Sequence, residues 1–138
     1  MAKDLKVVVD TNVWISALVF GGKPEVILKL FIDGKITVIV SEEIITELRR
    51  IITTKFPLYI SRLGLLEASI RDDAIIVPLG ENTIRVSRDT DDNKIIETAV
   101  KGKADYIISG DDDLLVIKNY ESTGILKPSN FLEVFYQN

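Results

Sequence analysis

Two apolar segments of this chain each run directly into acidic residues. Residues 6–9 are followed by Asp10, and residues 106–109 are followed, after Gly110, by the three aspartates at 111–113. If both segments are parallel strands of an α/β sheet, the residues that follow them meet at its carboxyl edge, where ligands bind. Two carboxylates ~4 Å apart repel by ~4 kcal/mol at an effective dielectric of about 20. The pattern therefore predicts a hard divalent cation between them, held by oxygen ligands.

The residue types that are absent narrow the chemistry. The chain has 138 residues, a length typical of one domain, and contains neither His nor Cys. This excludes zinc sites of the His/Cys type, thiol nucleophiles, Ser–His triads and imidazole general bases. The lack of disulfides fits a reducing compartment. Any catalysis must depend on carboxylates, Lys, Tyr or a metal ion bound by oxygen.

Charge and hydropathy bear on the partner and the compartment. The formal net charge of -4 argues at first sight against a nucleic-acid partner. A metal ion bound by clustered acids reverses the local sign, however, so composition leaves the partner open. Residues 1–6 mix charges and lack the apolar region of a signal peptide, and no apolar run approaches the ~20 residues that span a bilayer. The sequence predicts a cytoplasmic protein without a membrane segment.

Hydrophobic periodicity alternates between strand and helix along the whole chain, which is typical of the α/β class. We predict one domain, residues 1–138. The predicted strands are 6–9, 36–40, 74–77, 106–109 and 124–126. The predicted helices are 12–20, 24–33, 42–54, 61–71, 89–100 and 130–136, with Ser41 and Ser129 as N-caps. The acidic residues 111–113 are predicted to lie in a loop.

The third predicted helix carries one glutamate beside its apolar stripe. Ile44, Leu48 and Ile51 share a face, and Glu47 lies at the edge of that face. This position allows Glu47 to point into a crevice. Pairing with Arg49 or Arg50 on a solvated flank is the more ordinary interpretation of this helix.

The helix near residue 92 is more informative. Asp92 shares a face with Ile95, Ile96 and Ala99, so its carboxylate is predicted to point inward, with Asp91 at the rim and Asn93 toward solvent. A lone buried charge is very costly and therefore needs a partner or a cation. The helix macrodipole favours acids in a first turn but does not explain the inward face.

Each acidic signal is weak singly, but four separate elements direct acids toward one sheet edge. Neutral oxygen or amide groups are expected around the same place, from Thr11, Asn12 and Ser109. The joint pattern favours one polar site over several unrelated surface features.

At this point the sequence resembles the PIN-domain nucleases, and especially the VapC-like toxins of toxin–antitoxin modules. The segment Asp-Thr-Asn-Val-Trp-Ile-Ser-Ala-Leu at 10–18 is similar to the family's opening motif. Thr-Glu-Leu at 46–48, Asp-Asp-Asn-Lys-Ile at 91–95 and Ser-Gly-Asp-Asp-Asp-Leu-Leu at 109–115 are similar to its later acidic blocks. The resemblance covers essentially the whole chain.

This resemblance implies a small domain with a mainly parallel central sheet flanked by helices. It implies Mg²⁺ or Mn²⁺ bound by four catalytic acids: Asp10, Glu47, Asp92 and Asp111. It further implies endonucleolytic cleavage of RNA, a homodimer, and a neutralising antitoxin that covers the site. Metal-assisted hydrolysis of the phosphodiester bond is the expected chemistry.

Further residues are assigned weaker roles. Thr11, Asn12, Ser109 and Asp113 are expected to support the acids. Contacts to phosphate are open to Lys23, Arg49, Arg50 and Lys94, although an ordinary surface charge explains each equally well.

Three alternatives differ in class from a nuclease. Magnesium-dependent phosphatases of the haloacid-dehalogenase type also place an aspartate after their first strand, but they use an Asp-x-Asp pair, and Asn12 occupies the second position here. Response-regulator receivers need a set of residues that this chain does not offer. A non-catalytic module that binds RNA or protein and retains an acidic pocket is the non-enzymatic alternative.

Overall fold

The fold is given by a computed structural model, which describes residues 4–80 and 90–137. The strands in these ranges are β1 Lys6–Val9, β2 Thr37–Val40, β3 Ile75–Ile76, β4 Tyr106–Ile108, β5 Asn119–Tyr120 and β6 Thr123–Leu126. The helices are α1 Thr11–Val19, α2 Gly22–Ile32, α3 Glu42–Lys55, α4 Ile60–Asp73, α5 Thr90–Gly102, α6 Asp112–Leu115 and α7 Pro128–Gln137, and a 3-10 turn spans Pro57–Tyr59.

The strands form one sheet in the order β3-β2-β1-β4-β6-β5. All neighbouring pairs are parallel except β5 with β6, which are antiparallel and joined by a short turn. Parallel neighbours require crossover connections, and helices supply them. The predicted α/β class with a mainly parallel sheet flanked by helices is confirmed.

The centre of the sheet lies in the hydrophobic core. Val7, Val8, Val38 and Ile107 are fully buried, as expected for parallel strands covered on both faces. Because β1 lies between β2 and β4, the residues that follow these three strands share one edge of the sheet. That edge therefore carries Asp10, Ser41 and Ser109 next to one another.

Several predicted element boundaries differ from the structure. Ser129 lies inside α7 instead of capping it, because the helix already begins at Pro128, a residue suited to the first helical position. The predicted loop at 111–113 contains the start of α6, and β5 was not predicted. The predicted helix start at residue 89 lies outside the described residues. Within the described ranges, no helix combines the length and apolar character needed to cross a membrane.

Helix α5 lies unusually close to the sheet at its C-terminal end. It packs against β1, β2 and β4, and a Cβ placed on Gly102 would lie only 2.4 Å from Ile39 Cγ2. Ile39 is itself buried in β2, so little space exists for it to move. Gly102 therefore permits a close approach that a larger residue would prevent, and this approach fixes the helix that carries Asp92.

We expect Gly102→Ala to destabilise the fold by about 1–3 kcal/mol, because the added methyl overpacks a buried contact. The matched control is Gly64→Ala in α4, where a Cβ meets no atom within 4 Å and where removal of a helical glycine should stabilise by about 0.5–1 kcal/mol. Urea unfolding followed by the fluorescence of the buried Trp14 measures both changes. Equal stability of the two variants would contradict the close contact.

Candidate functional site

Asp10 lies at the point where β1 passes into α1. Its backbone N–H donates to the Ile108 carbonyl at 2.9 Å, which holds it against β4. Its carboxylate is buried and accepts a hydrogen bond from Ser109 Oγ at 2.7 Å. Burial is the largest influence and raises the pKa of Asp10, the hydrogen bond from Ser109 lowers it, and the nearby Asp111 carboxylate raises it, with a net increase.

Ser109 connects the acids of two neighbouring strands. This fully buried hydroxyl donates to Asp10 and accepts from the Asp111 N–H at 3.0 Å. Asp111 in turn accepts the Asp113 N–H on its Oδ1 at 2.9 Å, at the start of α6. This chain of hydrogen bonds turns the acidic segment back toward the sheet edge.

Three carboxylates meet beside Asp10. Oxygens of Asp92, Asp111 and Asp113 all lie within 4.8 Å of one another. Asp92 is buried, as its predicted position on the inner face of α5 requires, and the other two are partly buried. A set of carboxylate oxygens without nitrogen or sulfur donors suits Mg²⁺ or Mn²⁺, so the residues present fit a hard divalent cation.

Glu47 lies on α3, partly buried, where it lines a cleft together with Asp91 and Lys94 of α5. Burial raises its pKa most, the Asp91 and Asp10 carboxylates raise it further, and Arg50 and Lys94 lower it, with a net increase. The cleft separates α3 from α5 and has a volume of about 390 Å³. Glu47 therefore faces the site, but it is not one of the three clustered carboxylates.

The structure places the remaining predicted residues in different surroundings. Thr11 is buried, and its hydroxyl has no hydrogen-bond partner among the described residues, whereas Asn12 is exposed on α1. Arg50 and Lys94 line the cleft. Two other predicted phosphate contacts do not line it: Lys23 is exposed on α2, and Arg49 binds Glu67 of α4.

The prediction that Asn93 turns toward solvent is wrong, since Asn93 is buried. Asp91 is exposed beside the cleft, as expected for a rim residue. The helix is buried over a wider arc than one stripe, because Glu97 is also buried and accepts the Gly80 N–H at 2.9 Å. A helix covered on more than one side buries the position next to its main stripe.

Asp113 is the site residue whose position was least evident from the sequence. It was predicted only as a support for the other acids, yet the structure places it in the group of three. The signal was the spacing of Asp111 and Asp113. An aspartate that accepts the N–H two residues later forms a turn, and this turn brings the second aspartate back beside the first.

Two substitutions should distinguish a buried hydroxyl that forms hydrogen bonds from one that has no partner among the described residues. Ser109→Ala leaves the buried Asp10 carboxylate without its side-chain donor and should cost about 1–3 kcal/mol of folding stability. Thr11→Val removes a buried hydroxyl without a partner and should leave stability unchanged or raise it. Urea unfolding in EDTA measures both, and an equal loss in the two variants would contradict this assignment.

Comparison with known proteins identifies the family of this chain. The chain is similar to an uncharacterized protein, MJ1680, of Methanocaldococcus jannaschii, with 37% identity over 119 residues that cover 83% of this chain and 76% of the relative. The model of the PIN domain matches residues 6–113, a span that contains every acid described above. The chain therefore belongs to the PIN-domain family, whose members are generally nucleases and typically use divalent metal ions.

Proposed function

We propose that this protein is a metal-dependent endoribonuclease that hydrolyses RNA phosphodiester bonds. The observation that carries the proposal is the meeting of Asp92, Asp111 and Asp113 within 4.8 Å of one another, beside the buried Asp10. Acids brought together from β1, β4 and α5 repel one another, and a cation bound between them would offset this repulsion. Membership of the PIN-domain family supports the same activity.

The proposed cofactor is Mg²⁺ or Mn²⁺, held by Asp10, Asp92 and Asp111 with support from Asp113. Such an ion, when bound, lowers the pKa of a water molecule and neutralises charge that develops on the phosphate. The protein's own contribution is to hold the carboxylates in place. Ser109 does so for Asp10 and Asp111 through its two hydrogen bonds.

Glu47 is assigned the task of orienting water in the cleft. Its pKa is raised by burial and by the Asp91 and Asp10 carboxylates, which makes it a better proton acceptor than an exposed glutamate. Because it lies on α3, whereas the clustered aspartates lie on α5 and in the segment after β4, it can approach a bound phosphate from a different side. Asn12 is exposed two residues after Asp10, where a phosphatase of the Asp-x-Asp type would need an acid.

We further propose that the protein acts as the toxin of a type II toxin–antitoxin pair, as a homodimer. The VapC-like sequence motifs support this role, and so does an apolar groove of about 320 Å³ that could receive a partner. The groove is lined by Leu18, Leu28, Ile32, Arg62, Leu65, Leu66 and Ser69. Ile32 and Leu65 remain exposed there, whereas four other apolar side chains of α2 and α3 belong to the core: Ile27, Phe31, Ile44 and Leu48.

Normal growth of cells that express the active protein would contradict the toxin role. A purely monomeric state by light scattering at micromolar concentration would contradict the homodimer. A non-catalytic binding module is distinguished separately, because it would show neither cleavage nor stabilisation by divalent ions.

Asp10→Asn should preserve the fold and abolish most RNA cleavage, because it removes a negative charge that the cation needs. The melting temperature of the wild type should rise with added Mn²⁺, since ligand at 100 times its Kd stabilises by about 2.7 kcal/mol. The rise should be much smaller in Asp10→Asn. Asp33→Asn, which removes an equal charge from the exposed C-cap of α2, should behave as wild type. Cleavage in EDTA equal to that in Mg²⁺ would contradict the proposal.

Alanine substitutions at residues 91–93 should have three different effects. Asp92→Ala should reduce turnover by at least about 100-fold, since each 1.36 kcal/mol of lost transition-state stabilisation is tenfold in rate. Asp91→Ala changes an exposed rim residue and should reduce turnover far less. Asn93→Ala removes a buried polar side chain and should mainly lower the melting temperature. Turnover measured well below each variant's melting temperature separates the effects, and a larger loss in Asp91→Ala than in Asp92→Ala would refute the assignment.

A further inference from the structure

Two arginines form bidentate ion pairs that join α3 to α4. Arg49 on α3 donates three hydrogen bonds to both carboxylate oxygens of Glu67 on α4, at 3.0–3.1 Å. Arg71 on α4 binds both oxygens of Glu42 on α3, and the Nη2–Oε1 distance is 2.9 Å. Paired, bidentate contacts of this kind hold a guanidinium in one geometry. These two guanidinium groups therefore serve to hold α3 against α4.

Arg50 and Lys94 differ from them in both location and partners. They line the cleft beside Glu47, one from each wall. Within the described part of the chain, the Arg50 guanidinium forms no ion pair shorter than 4.0 Å. Lys94 Nζ lies 4.0 Å from Asp91 Oδ1, and both of these side chains are about half exposed. An exposed pair of this kind contributes little to stability, so Lys94 can exchange Asp91 for another anion at little cost.

Both cations lie close enough to the acids to influence them. Arg50 lies three residues after Glu47 on α3, and Lys94 lies two residues after Asp92 on α5. An anion bound by Arg50 and Lys94 would thus lie next to the group bound by the acids. The lining of the cleft otherwise carries Glu43, Glu47 and Asp91 as well as the engaged Glu42, so a polyanion entering it meets mostly repulsion.

We propose that Arg50 and Lys94 form a phosphate clamp, which binds the RNA phosphate adjacent to the one that is cleaved. The inference rests on the proposed nuclease function, because it places the RNA backbone in the same cleft. Arg50 supplies the planar fork that matches two phosphate oxygens, and Lys94 supplies a point charge from the opposite wall. The clamp positions the strand and also offsets the acidic lining of the cleft.

The test measures RNA binding separately from cleavage. A fluorescein-labelled, single-stranded 12-nucleotide RNA is titrated with protein that carries Asp10→Asn, and anisotropy is recorded from 50 to 300 mM KCl. In that background, Arg50→Gln and Lys94→Gln should each weaken binding roughly tenfold at low salt. Each should also reduce the slope of log K against log [salt] by about 0.7, the value for one lost phosphate contact on a single strand.

The matched control is Arg49→Gln, which removes the same charge from the neighbouring residue and should leave the slope unchanged. Arg50→Lys should retain the slope, because it keeps the charge, while weakening binding through loss of the fork. An unchanged slope in both Arg50→Gln and Lys94→Gln overturns the clamp, as does an equal decrease in Arg49→Gln. Melting curves confirm that the variants remain folded.

The two proposals fail in distinguishable ways. If the otherwise wild-type protein cleaves RNA in Mg²⁺ or Mn²⁺ but the slopes do not change, the clamp is refuted and the nuclease stands. If no cleavage occurs in either ion but the slopes change as expected, RNA binding by the clamp stands and the nuclease function is refuted.

Discussion

Repulsion among carboxylates at the carboxyl edge of the parallel sheet is the constraint on which the rest of this structure depends. Two unit charges 4.8 Å apart repel by ~3 kcal/mol at an effective dielectric of about 20, and three such pairs exist among Asp92, Asp111 and Asp113. Burial of the Asp10 carboxylate adds a desolvation penalty, which is why its pKa is raised. A fold that keeps these carboxylates together must hold them by other interactions, and a bound cation would offset the remaining repulsion.

The surrounding elements provide those interactions. Asp10 and Asp92 lie at the N-termini of α1 and α5, where the helix macrodipole favours negative charge. The buried Ser109 hydroxyl binds the Asp10 carboxylate and the Asp111 backbone together. At the other end of α5, the close contact of Gly102 with Ile39 seats the helix on the sheet. Distant packing thereby determines where Asp92 lies.

Sequence reasoning identified those parts of the site that follow from topology. Asp10 and Asp111 each come just after a central strand, so the parallel sheet brings them together once β1 and β4 are neighbours. It failed at Asn93, because the apolar stripe of α5 does not reveal that a second side of this helix is also covered, where Glu97 accepts the Gly80 N–H. Short elements were missed for a similar reason. A strand of two residues such as β5 and a helix of four such as α6 carry no periodicity.

The sequence could not show which basic side chains are available to bind phosphate, since Arg49 and Arg50 are adjacent and chemically identical. The difference arises from helical geometry, which turns neighbouring side chains by about 100° and thus toward different elements. Arg49 meets Glu67 on α4, whereas Arg50 turns toward the cleft. A net charge of -4 accordingly says little about affinity for a polyanion. What decides it is how many of the basic side chains near the cleft are already bound by acids, and in this fold Arg49 and Arg71 are bound by Glu67 and Glu42, whereas Arg50 and Lys94 line the cleft.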